Sequence, residues 1–240
     1  MTASLEDIWV YLSASPLLAL TMTLVAYQIG LSAHRAARSN ALVNPVLVAV
    51  TLIVTVLALT GTSYETYFAG AQFVHFLLGP ATVALALPLY RQFDRVRRSW
   101  LALSVALASG SLAALASTLV LGVLAGLSPQ TLAAMAPKSV TAPVAMSIAQ
   151  TLGGPPSLAA VLVIATGIAG ASLGPLLLDR LGVTDPAARG TALGTASHGI
   201  GTARAFQEGE VSGAFSGLAM GLNAVTTAVV LPLVWWLWFG

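Results

Sequence analysis

Residues 194–205 read GTASHGIGTARA, a glycine-rich run that carries His198 and Arg204 between two long apolar segments. Three hydroxyl residues, Thr195, Ser197 and Thr202, stand beside the histidine, a composition for which an ordinary lipid-facing helix has no use. A second interruption, PKSVTAP at residues 137–143, carries Lys138, the only lysine of the chain. Backbone freed from a helix at membrane depth must be buried in protein or line a wet cavity, because lipid offers its N–H and C=O groups no partners. The two interruptions therefore read as two walls of one polar site inside a membrane protein.

Composition supplies the membrane. The chain has 240 residues, 57% of them hydrophobic and only 8% charged, with a mean hydropathy of +0.89. A soluble domain carries roughly a quarter charged residues. Apolar runs of roughly 18 to 27 residues recur, near the ~20 that a helix needs to cross the hydrocarbon core, and the alternating ten-residue segments of a β-barrel are missing. The predicted fold is all-α: a polytopic bundle of seven or eight segments, two or three of them broken, with a repeat-based, transporter-like plan as one way to build it. It forms a single membrane domain, with residues 1–65 as peripheral helices and residues 66–240 as the core.

The net charge of +2 comes mostly from arginines clustered in short loops, which orientation explains better than a nucleic-acid partner does. RQFDRVRR (Arg91–Arg98) is the strongest cytoplasmic marker, and with Glu6 and Asp7 ahead of the first segment the N-terminus is expected outside. No cleavable leader is evident. Without cysteine there is no disulfide framework, thiolate nucleophile or cysteine-based metal site. No nucleophile–base set, phosphate loop or carboxylate pair appears either, so neither an enzyme nor a cofactor is expected, and His198 alone is poor evidence for a metal.

The segments run at about residues 8–31, 45–60, 67–90, 101–127, 130–152, 158–178, 187–207 and 211–239. The fourth looks clean and strongly apolar. Whether the fifth and seventh cross or fold back is open, and with it the side of the C-terminus. GPATVALALP from Gly79 aligns weakly with APKSVTAPVA from Ala136, and corresponding broken segments are the usual pointer to a repeat-built transporter site.

Lys138 is the sharpest candidate. A lysine within a membrane segment costs roughly 2.5–3.5 kcal/mol on insertion scales and is by default functional; the alternative is a shallower segment from which it snorkels to an interface. Pro137 and Pro143 break the helix, Ser139 and Thr141 re-satisfy freed groups, and the second half-helix aims its positive dipole end inward, where a carboxylate fits. His198 either carries a proton or bonds a neighbouring helix, while Gly199 and Gly201 permit close approach of a substrate to the backbone. Arg204 is an anion partner or an edge anchor paired with Glu208 or Glu210. Asn223 joins the site or bonds between helices, and His75 reads as a packed histidine or as a group facing the site. Glycine pairs 122/126, 170/174 and the triplet 213/217/221 read as close helix packing.

The motifs LGPATVALALPLY (Leu78–Tyr90), APKSVTAPVA (Ala136–Ala145), ASHGIGTARA (Ala196–Ala205) and GEVSGAFSGLAM (Gly209–Met220) resemble, in order, those of the LrgB/CidB family. This family is the larger partner of the holin-like and antiholin-like LrgA/CidA proteins. The resemblance implies a multi-pass protein of the bacterial inner membrane and two functional stories. One is modulation of murein hydrolase export and lysis with a small LrgA/CidA-type membrane partner. The other is carriage of glycolate, glycerate or pyruvate, as in plastid and some bacterial relatives, through a fold with broken helices at a midplane site.

The combined expectation is a secondary transporter of small 2-hydroxy- or 2-oxo-carboxylates, proton-coupled through His198. Lys138 and the half-helix N-terminus would hold the carboxylate. Ser139, Thr141, Ser197, Gly199, Gly201, Thr202, Arg204, Thr82 and Asn223 complete the substrate-binding set, and a homo-oligomer is compatible with it.

Overall fold

The computed structural model describes residues 16–37, 43–77, 80, 83–84 and 86–239. Glu6, Asp7, Thr82 and part of LGPATVALALPLY, with the repeat drawn from it, lie outside these residues. The chain divides into two compact units, residues 1–84 and 85–240.

In the first unit, α1 (Pro16–Ala36) packs on α2 (Pro45–Thr60) and α3 (Tyr64–Phe76). Asn44 starts α2 by accepting from the Val46 and Leu47 amides, and Gly61 ends it in the left-handed conformation, a pairing of N-cap and C-terminal glycine that satisfies groups a bare helix end leaves open. A hydrogen bond of 2.8 Å between the Thr23 and Tyr67 hydroxyls ties α1 to α3.

The second unit comprises α4 (Ala86–Arg91), α5 (Phe93–Arg98), α6 (Trp100–Leu124), α7 (Pro129–Met135), α8 (Ala142–Thr151), α9 (Pro156–Arg180), α10 (Pro186–Glu208) and α11 (Glu210–Phe239). Among the described residues, four helices are long and apolar enough to cross a membrane: Leu17–Ala36, Trp100–Leu124, Pro156–Arg180 and Glu210–Trp238. That is fewer than the seven or eight membrane segments read from the sequence, the fifth and seventh of them open between crossing and folding back. Half of the difference lies in the fifth and seventh segments, which fold back on themselves; the second is the 16-residue helix Pro45–Thr60, and the third lies partly outside the described residues.

α10 shows the reversal most directly. Arg189 Nε and Glu208 Oε2 are 2.9 Å apart, whereas 19 residues of straight helix would separate them by roughly 28 Å. The chain turns at His198, whose φ of 43° and ψ of −132° are non-helical, and it is the one non-glycine residue with positive φ among those described. The arms, residues 186–197 and 199–208, then run antiparallel. They meet where a Cβ on Gly201 would lie 2.4 Å from the Leu193 carbonyl oxygen, so only glycine fits. Residues 129–154 make a second hairpin. Ala134 packs with Ala149, Ala136 with Ile148, and Gly154 lies against Ala133 and Ala134. Its tip is the proline-bounded stretch 137–141, held in short i→i−3 turns such as Val140 N to Pro137 O, 3.2 Å.

Long helices frame the hairpins. α6 and α11 run parallel, with Leu103 and Leu107 near Phe215 at one end and Leu115 and Leu119 near Leu231 at the other. α9 runs the opposite way, antiparallel to the first arm of α10: Gly174 faces Leu193 and Gly170 faces Ser197. The first arm also lies along α11 so closely that a Cβ on Gly194 would fall 2.2 Å from the Ser216 carbonyl oxygen. The unit thus alternates helix, hairpin, helix, hairpin, helix, and the hairpins enter from opposite ends. One end carries the ion pairs Arg91–Glu210, Arg95–Asp185, Arg189–Asp179 and Arg189–Glu208; the other carries Trp235, Trp236 and Trp238.

Of the glycine patterns, 170/174 makes the close helix packing read from sequence, while Gly213 serves the hairpin by receiving the Phe206 ring. Gly126 instead ends α6 at positive φ, and Gly221 has no neighbour within 4 Å of an added Cβ.

Candidate anion site where two hairpin tips meet

The tips converge on one side chain. Asn223 of α11 is almost fully buried, and its Nδ2 donates 3.1 Å bonds to the Ser139 and Thr195 carbonyl oxygens. Both carbonyls belong to helix ends, whose last C=O groups lack intrahelical partners. An amide NH2 has two protons, so one group serves both breaks. Asn223 Oδ1 accepts from Ser111 Oγ of α6 at 2.5 Å, and since carbonyls only accept, these partners fix the amide orientation.

Val163 of α9 makes the second link. Its side chain packs on Val140 of the first tip, and its carbonyl oxygen accepts from His198 Nε2 of the second at 2.9 Å. The imidazole is buried against Gly167. Thr202 Oγ1 donates to the His198 carbonyl at 2.8 Å and lies 3.0 Å from Ser216 Oγ. The His198 and Thr202 side chains are thus spent on holding the turn, while Ser197 Oγ is buried with no partner among the described residues.

Lys138 sits on the other side of the meeting point. Its Nζ donates to Thr118 Oγ1, which in turn donates to the Ala114 carbonyl at 2.6 Å. It forms no ion pair with any described carboxylate. Lys138 and Ser139 instead line a cavity of about 700 Å³ between α6 and the first arm of α10. Along α10 the lining runs from Asp185 to Ala196, roughly 16 Å of helix. Ser99, Asp185 and Ala187 stand at the arginine end; Lys138, Ser139 and Thr166 stand at the inner end. Asp185 caps α10 by accepting from the Ala188 amide at 2.9 Å and pairs with Arg95 at 2.9 Å, which fixes one rim of the mouth.

Of the residues singled out from sequence, Lys138, Ser139 and Thr195 line the cavity, and Asn223 supports it from behind. Thr141 is the extended N-cap of α8 with no side-chain cap bond. Ser197, His198, Gly201 and Thr202 are buried within the second hairpin and its neighbours, and Gly199 lies exposed at its tip. None of these lines the cavity. Arg204 takes the anchor alternative: Nη1 donates to Gln207 Oε1 at 3.0 Å, and Nη2 lies 3.9 Å from Glu208.

The sequence reading passed over Ser111, Thr118, Thr166 and Thr191. Ser111 and Thr118 were the legible ones: seven residues apart, they lie on one helix face, and they are polar in a segment taken as clean. Arg189 was missed as well. It binds Asp179, Glu208 and the Val183 carbonyl, and the Glu208 hydrogen bond raises its pKa further above the usual arginine value, closing the base of the second hairpin with a permanent charge.

Antiholin-like protein LrgB from Bacillus mycoides (strain KBAB4) and its counterpart from Bacillus cereus (strain B4264) are each 32% identical over 219 residues, covering 91% of this chain and 95% of theirs. No solved structure matches. A family model described as the LrgB-like family matches residues 23–237, and the chain belongs to that family.

Proposed function

We propose that the protein is a secondary transporter of small 2-hydroxy- or 2-oxo-monocarboxylates, with Lys138 as the anion-binding group. The observation that carries this reading is a lysine with no carboxylate partner among the described residues, at the inner end of a cavity whose outer end lies beside the Arg95–Asp185 pair. A half-buried charge withdrawn from water favours a counter-charge, and a single cation suits a monoanion. Ser139 adds a hydroxyl beside it. Two hairpins entering from opposite ends, with tips that meet near the middle, are the kind of discontinuous element around which transporter sites are built. His198 donates to Val163 away from the cavity, so this reading rests on Lys138 and not on proton carriage by the histidine.

Arg91, Arg95, Arg97, Arg98, Arg180, Arg189 and Arg204, seven of the ten Lys and Arg, belong to the end where Ser99 and Asp185 line the cavity. By the positive-inside rule that end is cytoplasmic in the bacterial inner membrane, and both hairpins are re-entrant. Uptake of labelled lactate, glycolate and pyruvate into proteoliposomes tests the proposal. Wild type should show saturable uptake, and Lys138→Ala should reduce it at least about tenfold, the scale of a lost charge-assisted contact. Equal uptake by both would remove Lys138 from the site. No uptake by either, with or without an LrgA-type partner, would remove the substrate class.

The relatives' name, antiholin-like protein LrgB, favours a second reading: modulation of murein hydrolase export and lysis through a small LrgA/CidA-type partner. Lysis control that survives Lys138→Ala would favour it over transport.

A further inference from the structure

Resting on the carboxylate reading above, we infer that the wall formed by Ser109, Thr191 and Thr195 selects acids whose 2-substituent donates a hydrogen bond. The substrates are then 2-hydroxy acids rather than their 2-oxo counterparts. All three residues line the cavity, and all three have committed their only proton. Thr191 Oγ1 donates to the Ala187 carbonyl at 2.8 Å, Thr195 Oγ1 to the Thr191 carbonyl at 2.8 Å, and Ser109 Oγ to the Val105 carbonyl at 2.8 Å. A hydroxyl has one proton and two lone pairs; this wall can accept and has nothing left to donate.

Uncommitted donors lie at the inner end. Lys138 Nζ has three N–H bonds and gives one to Thr118. The Ser139 and Thr166 hydroxyls have no partner among the described residues. A carboxylate, which only accepts, belongs there. The shared Asn223 bonds place Thr195 next to Ser139, and Thr191 is one turn nearer the mouth. The carbon beside the bound carboxylate therefore faces the accepting wall. A hydroxyl on it gives its proton to that wall; a keto oxygen meets lone pairs and stays unsatisfied.

The test compares acids of equal length and charge, lactate against pyruvate and 2-hydroxybutyrate against 2-oxobutyrate, in proteoliposomes of the full-length protein. Wild type should favour the hydroxy acid by about tenfold in kcat/KM, the scale of one unsatisfied buried acceptor. Thr195→Val should bring the ratio near one by slowing the hydroxy acid, and Thr195→Ser should restore it. Thr191→Val supplies an independent variant if Thr195→Val does not yield folded protein by size exclusion. A wild-type ratio near one or below, or a ratio indifferent to both valine variants, overturns the inference; saturable Lys138-dependent uptake of both acids would still leave the transport reading standing. No uptake of either acid, or uptake indifferent to Lys138→Ala, removes both.

Discussion

Asn223 joins three elements with one side chain, so its substitution should reach further than a single contact. Asn223→Ala leaves the Ser139 and Thr195 carbonyls and the Ser111 hydroxyl without partners. At about 1–3 kcal/mol for a buried unsatisfied group, a loss of at least about 2 kcal/mol is expected, read as a lowered unfolding midpoint in detergent. Asn223→Asp keeps the shape but removes both donors, and it should be no better. His198 poses a different test, because its positive φ costs about 1–3 kcal/mol for a residue with a Cβ. His198→Ala and His198→Gly both lose the bond to Val163, yet the glycine variant should be the more stable of the two. The same unfolding assay ranks them, and the opposite order would show that the turn is not strained.

The hairpins rest on helix faces that admit no extra atom. Gly194→Ala and Gly201→Ala each drive a methyl onto backbone oxygen, and folded yield by size exclusion should fall sharply; Gly221→Ala meets nothing within 4 Å and should behave as wild type. At this scale the sequence was legible in one way and opaque in another. PKSVTAP and GTASHGIGTARA announced where the helices break, because proline and clustered glycine have few other uses within apolar segments. They did not announce that the chain reverses there. A kinked crossing helix and a re-entrant hairpin share the same breaker residues; what separates them is long-range pairing, here Arg189 with Glu208 and Ala136 with Ile148. Lys138 stood out as an isolated charge and Thr195 as a hydroxyl near His198, whereas Thr191 was hidden among small polar residues whose role depends on which helix faces them.

Across the second unit, the ends of the cavity make a labelling prediction. The chain has no cysteine, so single cysteines report without background. Ser99→Cys at the mouth should react with a membrane-impermeant maleimide from the cytoplasmic side, and Ser128→Cys, at the N-cap of α7 on the opposite end, only from the other; reversed labelling would invert the proposed orientation. The cavity depth then has an electrical consequence. Where a water-filled crevice reaches Lys138 from one side, that half of the protein is nearly equipotential with the cytoplasm. The membrane voltage, about 2.3 kcal/mol per charge for each 100 mV, falls mainly across the short stretch beyond the hairpin tips. An anion moving between the cytoplasm and Lys138 would feel little of it, and nearly all the voltage dependence of transport would belong to the passage past Asn223.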